Sequence, residues 1–286
     1  AGTAALRRRA VLGIAGAAAA GGARAAPPPA ATRLPIGVAA DRRHLVDAGG
    51  VPFLLHGDTA WSLIAQLDRA AADLYLRDRA GRGFNAVLVS LIEHRFATRA
   101  PANIAGEQPF RRPGDFASPN EAYFRHADWV LNRASELGLL VLLAPAYAGV
   151  NGDGEGWYRE MLAAGPASLR RYGSFLGRRY RGLSNTLWVH GGDYDPPRRD
   201  LSDAVAEAII AEGGHALHTA HGSPGSPAVR HWGDARWLGL NTVYTYDDLP
   251  GQIGRAYDHQ PRLPFILIES EYENPRKGDE QRMRRQ

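Results

Sequence analysis

The chain of 286 residues contains no cysteine. Disulfide staples, thiol nucleophiles and cysteine-held metals are thereby excluded in any compartment. Long apolar runs are missing as well: residues 10–20, AVLGIAGAAAA, fall well short of the roughly 20 apolar residues that a membrane span requires. No Gly-x-Gly-x-x-Gly follows a strand-like run, which argues against a dinucleotide cofactor, and neither His-x-His nor His-Glu-x-x-His occurs. No cofactor is expected. The formal charge of +4 is also misleading as a sign of a nucleic-acid partner. Arg7, Arg8, Arg9 and Arg24 lie in a first 25 residues that hold no acid, and removing them leaves a formal charge of zero. A second basic cluster, including Arg276, Lys277 and Arg282, sits at the far end, so no basic stripe remains in the body.

What is present is ordinary globular material, 44% hydrophobic and 22% charged, enough for a sizeable core. Ahead of it, residues 1–25 have the three parts of an export signal: charged start, short weakly apolar run, and Ala23-Arg24-Ala25 as a small-residue cleavage site. The paired arginines suggest the twin-arginine route. A periplasmic or extracellular protein starting near Ala26 is expected, without stable membrane insertion. Residues 26–42, with Pro27 to Pro29, read as a linker.

From residue 43 onward, strand and helix patterns alternate. Residues 44–55, HLVDAGGVPFLL, are two apolar runs about an Asp-Ala-Gly-Gly turn, a hairpin signature, and the second run continues to Gly57-Asp58. Helical periodicity over 68–82 and 120–138 is separated by FNAVLVSL at 84–91, a continuous apolar run typical of a strand buried on both faces. Further strands are predicted at 139–145, 186–190, 215–221, 237–246 and 263–268, with helices at 167–180, 202–212 and 248–258. Seven units at intervals of roughly 30 residues predict a parallel sheet with right-handed crossovers. Polar residues at the strands' carboxyl ends, Asp58, Glu93, Tyr147, Asp193, His221, Tyr244 and Glu269, favour an α/β (β/α)8 TIM barrel over 43–286 with an N-terminal hairpin. Because the sequence stops in the helix after the seventh strand, the expectation is a barrel lacking its eighth.

Around TLWVHGGDYDPP, residues 186–197, the chemistry gathers. A buried strand delivers Asp193 into a loop loosened by two glycines and ended by two prolines. The last strand delivers Glu269. In a closed barrel these ends face one another, and two carboxylates flanking a sugar are what glycosidic cleavage requires. Their environments must differ, so that one keeps its proton while the other stays ionised. Trp61, Tyr147, Trp188, Tyr244 and Tyr272 could offer faces to sugar rings, although core packing is the plainer reading for Trp188. Asp58, Trp61, His94, His190 and Asn241 are further candidates for hydroxyl contacts; each could equally be a satisfied structural group.

Three segments carry a resemblance: LVDAGGVPFLLHGDTAWSLIAQLDRAAADLYLRDRAGRGFNAV at 45–87, LWVHGGD at 187–193 and PFILIESEYE at 264–273. Together they resemble the apiosidase-like glycoside hydrolase family, a (β/α)8 domain often followed by a collagen-binding-like domain. The resemblance implies a retaining mechanism with Asp193 as acid/base and Glu269 as nucleophile, and release of apiose from branched pectin as the activity, with a carbohydrate as the partner. Ile268 and Ser270 stand where the family commonly has Gly and Pro, and a frequent Gln of the second strand is replaced within 87–89. Glu271 and Glu273 are rivals for the nucleophile, of which Glu271 shares the strand parity of Glu269.

Two other functions fit less of the sequence. A metal-dependent hydrolase would use His215, His218 and His221, but on a strand His218 points away from the other two. A non-catalytic carbohydrate-binding barrel would use Asp193 and Glu269 only as hydrogen-bonding groups, since fold does not guarantee activity.

Overall fold

Apolar runs too short for helices but continuous enough to bury both faces become the parallel strands of this protein. The computed structural model describes residues 33–214 and 216–270. The predicted export signal, most of the linker, His215 and residues 271–286 lie outside them. Two-residue strands β1 (Gly37–Val38), β2 (Leu45–Val46) and β3 (Pro52–Phe53) form an antiparallel ribbon in the order β1-β2-β3. Asp47 shapes the turn between β2 and β3: its Oδ1 accepts from Gly49 N at 2.8 Å and Val51 N at 2.9 Å, an Asx-type closure.

The first parallel strand is β4 (Gly57–Thr59), separate from the hairpin strand β3. The sequence reading merged them; the chain breaks at exposed Leu54 and is redirected at His56, whose N–H donates to Asn85 Oδ1 at 2.8 Å. After the short α1 (Leu63–Gln66) and α2 (Arg69–Gly81) comes β5 (Ala86–Ser90), then α3 (Glu121–Glu136) and β6 (Leu140–Ala144). Helices α2 and α3 begin where Asp68 and Asn120 cap them, accepting from Ala71 N and Ala122 N. Helix α4 (Tyr158–Tyr180) starts about two and a half turns before the expected 167; Gly165, at φ +70°, and Pro166 interrupt it, which hid its first part from periodicity. The remaining elements are β7 (Thr186–Gly191), α5 (Asp200–Ala211), β8 (His218–His221), α6 (Ala228–Trp232), β9 (Asn241–Tyr244), α7 (Leu249–Asp258) and β10 (Phe265–Glu269). Helix α6 was unforeseen, and β9 is shorter than 237–246: Leu238 N closes a turn on Ala235 O, and Trp237 packs with Trp232 while donating to Asp203 Oδ1 at 2.8 Å.

Strands β4-β5-β6-β7-β8 form one parallel sheet and β9-β10 a second. Strand alternation sorts their side chains. Val87, Val89, Val141, Leu143 and Trp188 pack outward on α2, α3 and α4, whereas Ala86, Leu88, Leu140, Leu142, Leu187 and Val189 share an interior with Leu240, Ile266 and Ile268. Both sheets therefore curve around one interior. Ile36, Leu45 and Phe53 of the ribbon belong to it as well, packed with residues at the amino ends of the strands. Between β8 and β9 the threonines take over from the backbone ladder: Thr219 Oγ1 donates to Leu240 O and Thr242 Oγ1 to Ala220 O, each at 2.6 Å. Among the described residues seven parallel strands are present, in the order expected.

Candidate active site

Asp193 stands just beyond β7 because two glycines fold the chain there. Gly191 and Gly192 have φ of +77° and +141°. A Cβ on Gly191 would meet His221 O at 2.6 Å, and one on Gly192 would enter the Tyr147 ring. The two glycines make room for β8 and for Tyr147. Backbone bonds fix the corner: Gly191 O accepts from Ala148 N at 2.9 Å, and Gly192 N donates to His221 O at 2.7 Å.

That corner brings Asp193, His221 at the end of β8 and Glu269 at the end of β10 together. One ligating atom from each lies within 4.8 Å of the others. His221 Nε2 is 3.3 Å from Asp193 Oδ1 and 3.3 Å from Glu269 Oε2. The imidazole is only 1% exposed, set between Trp61 (ring centroids 6.0 Å) and Tyr244 (4.8 Å). Each acid also has a phenol. Tyr147 OH donates to Asp193 Oδ2 at 2.8 Å, and Tyr246 OH donates to Glu269 Oε1 at 2.7 Å while lying 3.1 Å from Tyr244 OH. Burial, then the charge of Asp193, pushes Tyr147 far above the ordinary tyrosine range. Tyr246 is pushed up to about 12 by burial, with the hydrogen bond from Tyr244 opposing and Glu269 reinforcing. Both phenols therefore keep their protons at neutral pH and serve as donors.

The carboxylates border a cavity of about 590 Å³ whose walls include Trp61, Phe96, Tyr147, Ser90, Gln66 and Glu155. Its size suits a small-molecule or sugar ligand. Of the expected site residues, Asp193, Glu269, Trp61 and Tyr147 line it, and Tyr244 supports it from behind through His221 and Tyr246.

Four others belong elsewhere. Asp58 turns to α2, accepting from Tyr75 OH at 2.9 Å and pairing with Arg79 Nη1 at 2.9 Å; it reaches the cavity only through Tyr75, a lining residue. His190 lies on the outer face of β7, as strand parity requires, stacked on His218 with Nε2 2.9 Å from its Nδ1. Burial holds both imidazoles neutral, with His218 lowered to about 3 and His190 lowered well below the usual value. Asn241 opens β9 at the opposite end from the mouth, accepting from Val229 N at 3.1 Å. His94 lines a neighbouring cavity of about 350 Å³ with Trp157 and Glu160, its Nε2 3.1 Å from Glu160 Oε1. Tyr272, Glu271 and Glu273 lie outside the described residues. Glu93, another strand-end acid, folds its own loop, accepting from Ser62 Oγ at 2.8 Å and His94 N at 3.0 Å. Trp188 is core, against Tyr180 and His218.

Two residues were missed. His221 was placed at a strand's carboxyl end and weighed as one of three histidines but given no part in the site, although its strand-end position and parity opposite to His218 already placed it at the mouth. Tyr246 was passed over for Tyr244, although the two share a strand face.

An α/β fold with paired acids at the carboxyl ends of parallel strands is that of the α/β glycoside hydrolases. The apiosidase-like catalytic domain matches residues 39–286, and the chain belongs to that family. No curated protein is significantly similar in sequence. Among solved structures, one titled as a glycoside hydrolase superposes with a TM-score of 0.71 at 23% identity, over 84% of this chain and 58% of its own. A glycoside hydrolase family 5 structure from Bacteroides vulgatus gives 0.72 at 22% identity, over 85% of this chain and 56% of its own. The family 5 mannosidase of Rhizomucor miehei gives 0.59 at 12%, over 82% and 72%. This chain thus spans little more than half the length of the first two, and the likeness to all three concerns the fold.

Proposed function

We propose that the protein is an exported retaining glycoside hydrolase of apiosidase-like specificity, with Asp193 as acid/base and Glu269 as nucleophile. The observation that carries the reading is the meeting of these two acids, from the ends of β7 and β10, in one aromatic-walled cavity. Retention requires roughly 5–5.5 Å between the carboxyl groups and inversion roughly 6.5–9.5 Å; the ligating oxygens of Asp193 and Glu269 lie within 4.8 Å of one another, and retention is the outcome the apiosidase-like family implies. Glu269 Oε1 accepts from Tyr246, and in this reading Oε2 attacks the anomeric carbon while Asp193 hands its proton to the departing oxygen. Water, deprotonated by Asp193, then releases the sugar from Glu269. Tyr147 keeps the Asp193 carboxyl turned to the cavity throughout.

The substrate in this reading is a branched pectic carbohydrate bearing apiose, approached from solvent over Trp61 and Phe96. Residues 1–25 direct export and 26–42 link the signal to the domain. The (β/α)8 form belongs to the same reading. Among the described residues no helix is long and apolar enough to cross a membrane.

The test is release of free apiose from branched pectin by the full chain. Asp193→Ala and Glu269→Ala should each lower turnover by about 100-fold or more with folding intact. Near-parental rates in either variant would contradict the assignment, and pectin binding without turnover in the parent would leave a binding module.

A further inference from the structure

His221 has no task in the two-carboxylate mechanism, yet it is the most buried member of the site. Among the described residues neither of its ring nitrogens makes a hydrogen bond, and Asp193 Oδ1, which faces it, makes none either. A buried imidazole whose Nε2 is aimed between two carboxylates is a built donor set. We propose that Asp193, His221 and Glu269 form a site for a divalent transition metal, with Zn²⁺ as its best occupant, and that the metal and the sugar exclude one another.

Three features carry this. First, the two N···O separations of 3.3 Å are close to the roughly 3.3–3.4 Å edge of a tetrahedron with metal–ligand bonds of about 2.0–2.1 Å, and the two carboxylate oxygens, within 4.8 Å of one another, reach the third edge by rotation of the carboxylates as the metal enters. Second, one nitrogen and two oxygens form a borderline donor set suited to Zn²⁺ rather than to Mg²⁺ or Ca²⁺, which take oxygen alone. Third, the ring cannot swing away. Trp61 and Tyr244 flank it, doing by packing what an outer hydrogen bond commonly does for a metal-bound histidine. The fourth coordination position opens on the cavity, where water completes the shell.

The consequence rests on the hydrolase reading. A metal held by Asp193 Oδ1 and Glu269 Oε2 displaces the proton that the acid must donate and occupies the oxygen that must attack. One Zn²⁺ enters and the acid's proton leaves, so the site changes from a poised acid and nucleophile into a closed chelate. Zinc therefore acts as a reversible off-switch.

The experiment is calorimetric titration of ZnCl₂ into the full chain after EDTA treatment and dialysis, repeated on His221→Gln and Glu269→Gln, with melting curves for each. One equivalent should bind the parent, raise its melting temperature, and bind each variant at least about 10-fold more weakly, the loss that even an outer-shell change causes. If His221→Gln does not fold, Glu269→Gln decides. No binding by the parent, or equal binding by a folded variant, overturns the site. In the apiose-release assay the EDTA-treated parent should work and Zn²⁺ should stop it; turnover that EDTA abolishes and Zn²⁺ restores overturns the switch. Failure to bind zinc leaves the hydrolase reading standing, whereas zinc binding without any turnover sinks that reading and leaves the metal site.

Discussion

Tyr147 and Tyr246 divide Asp193 and Glu269 between them, one phenol donating to each acid, and these two donors let two carboxylates share a small space. Each phenol occupies one oxygen and leaves the other turned toward His221. The outer face of the same wall holds a second polar pair with a different fate. His190 and His218 are buried, stacked and bonded to one another, and both are held neutral by burial. The unfolded chain protonates a histidine near pH 6.5, whereas folded His218 resists until about 3. The unfolded state thus binds the extra proton, and stability present above about pH 6.5 is lost as pH falls toward 3. For this one group the slope approaches about 1.4 kcal/mol per pH unit between those limits. Urea midpoints from pH 7 to 4 should fall less steeply for His218→Asn than for the parent; parallel slopes would mean that the imidazole already titrates in the fold.

Asp58 shows how an element is anchored. It sits within the most distinctive sequence segment, yet it ties α2 to β4 through Tyr75 and Arg79. Burial and the bond to Asp58 raise the Tyr75 phenol well above its usual range, so it remains a donor at neutral pH. Asp58→Asn weakens a partly exposed ion pair and one hydrogen bond, which is worth about 1 kcal/mol after allowing for solvent screening. The melting temperature should drop by roughly 2–4 °C. Apiose release should stay within a few-fold of the parent, because Asp58 touches no cavity surface. A loss as large as that of Asp193→Ala would return Asp58 to the catalytic machinery.

At the scale of the whole molecule, the join between the five-stranded and two-stranded sheets decides whether the interior is closed. Thr219 and Thr242 bridge it with hydroxyl bonds to buried carbonyls on the facing strand. Thr219→Val and Thr242→Val keep the shape and leave Leu240 O or Ala220 O without that donor, at a cost of about 1–3 kcal/mol each. Because Glu269 lies beyond this join and Asp193 before it, the double variant should lose turnover as well as stability. Urea unfolding and apiose release together check this; a destabilised variant with full turnover would mean that the seam does not position the acids.

Much of this was determined by the sequence alone. The seven strands, the longer helices between them though not α6, and the delivery of Asp193 and Glu269 at strand ends follow from apolar run length, capping residues and Gly/Pro punctuation, all of which act locally. Trp61 and Tyr147 were legible for the same reason, being just past strands. What only the tertiary structure decided is which polar groups face which neighbours. Asp58, His190 and Asn241 lie on strands, whereas Asp193 stands just past one, and their facing depends on where each strand begins and which helix covers it. Asp58 goes to Arg79, His190 to His218, and Asn241 to the far end of its strand. His221 and Tyr246 gained their places from contacts 28 and 23 residues or more away, between elements that meet only when the sheets curve together. Local pattern sets the elements because backbone propensity and burial are short-range, whereas the site arises from convergence of strand ends, which no local window contains.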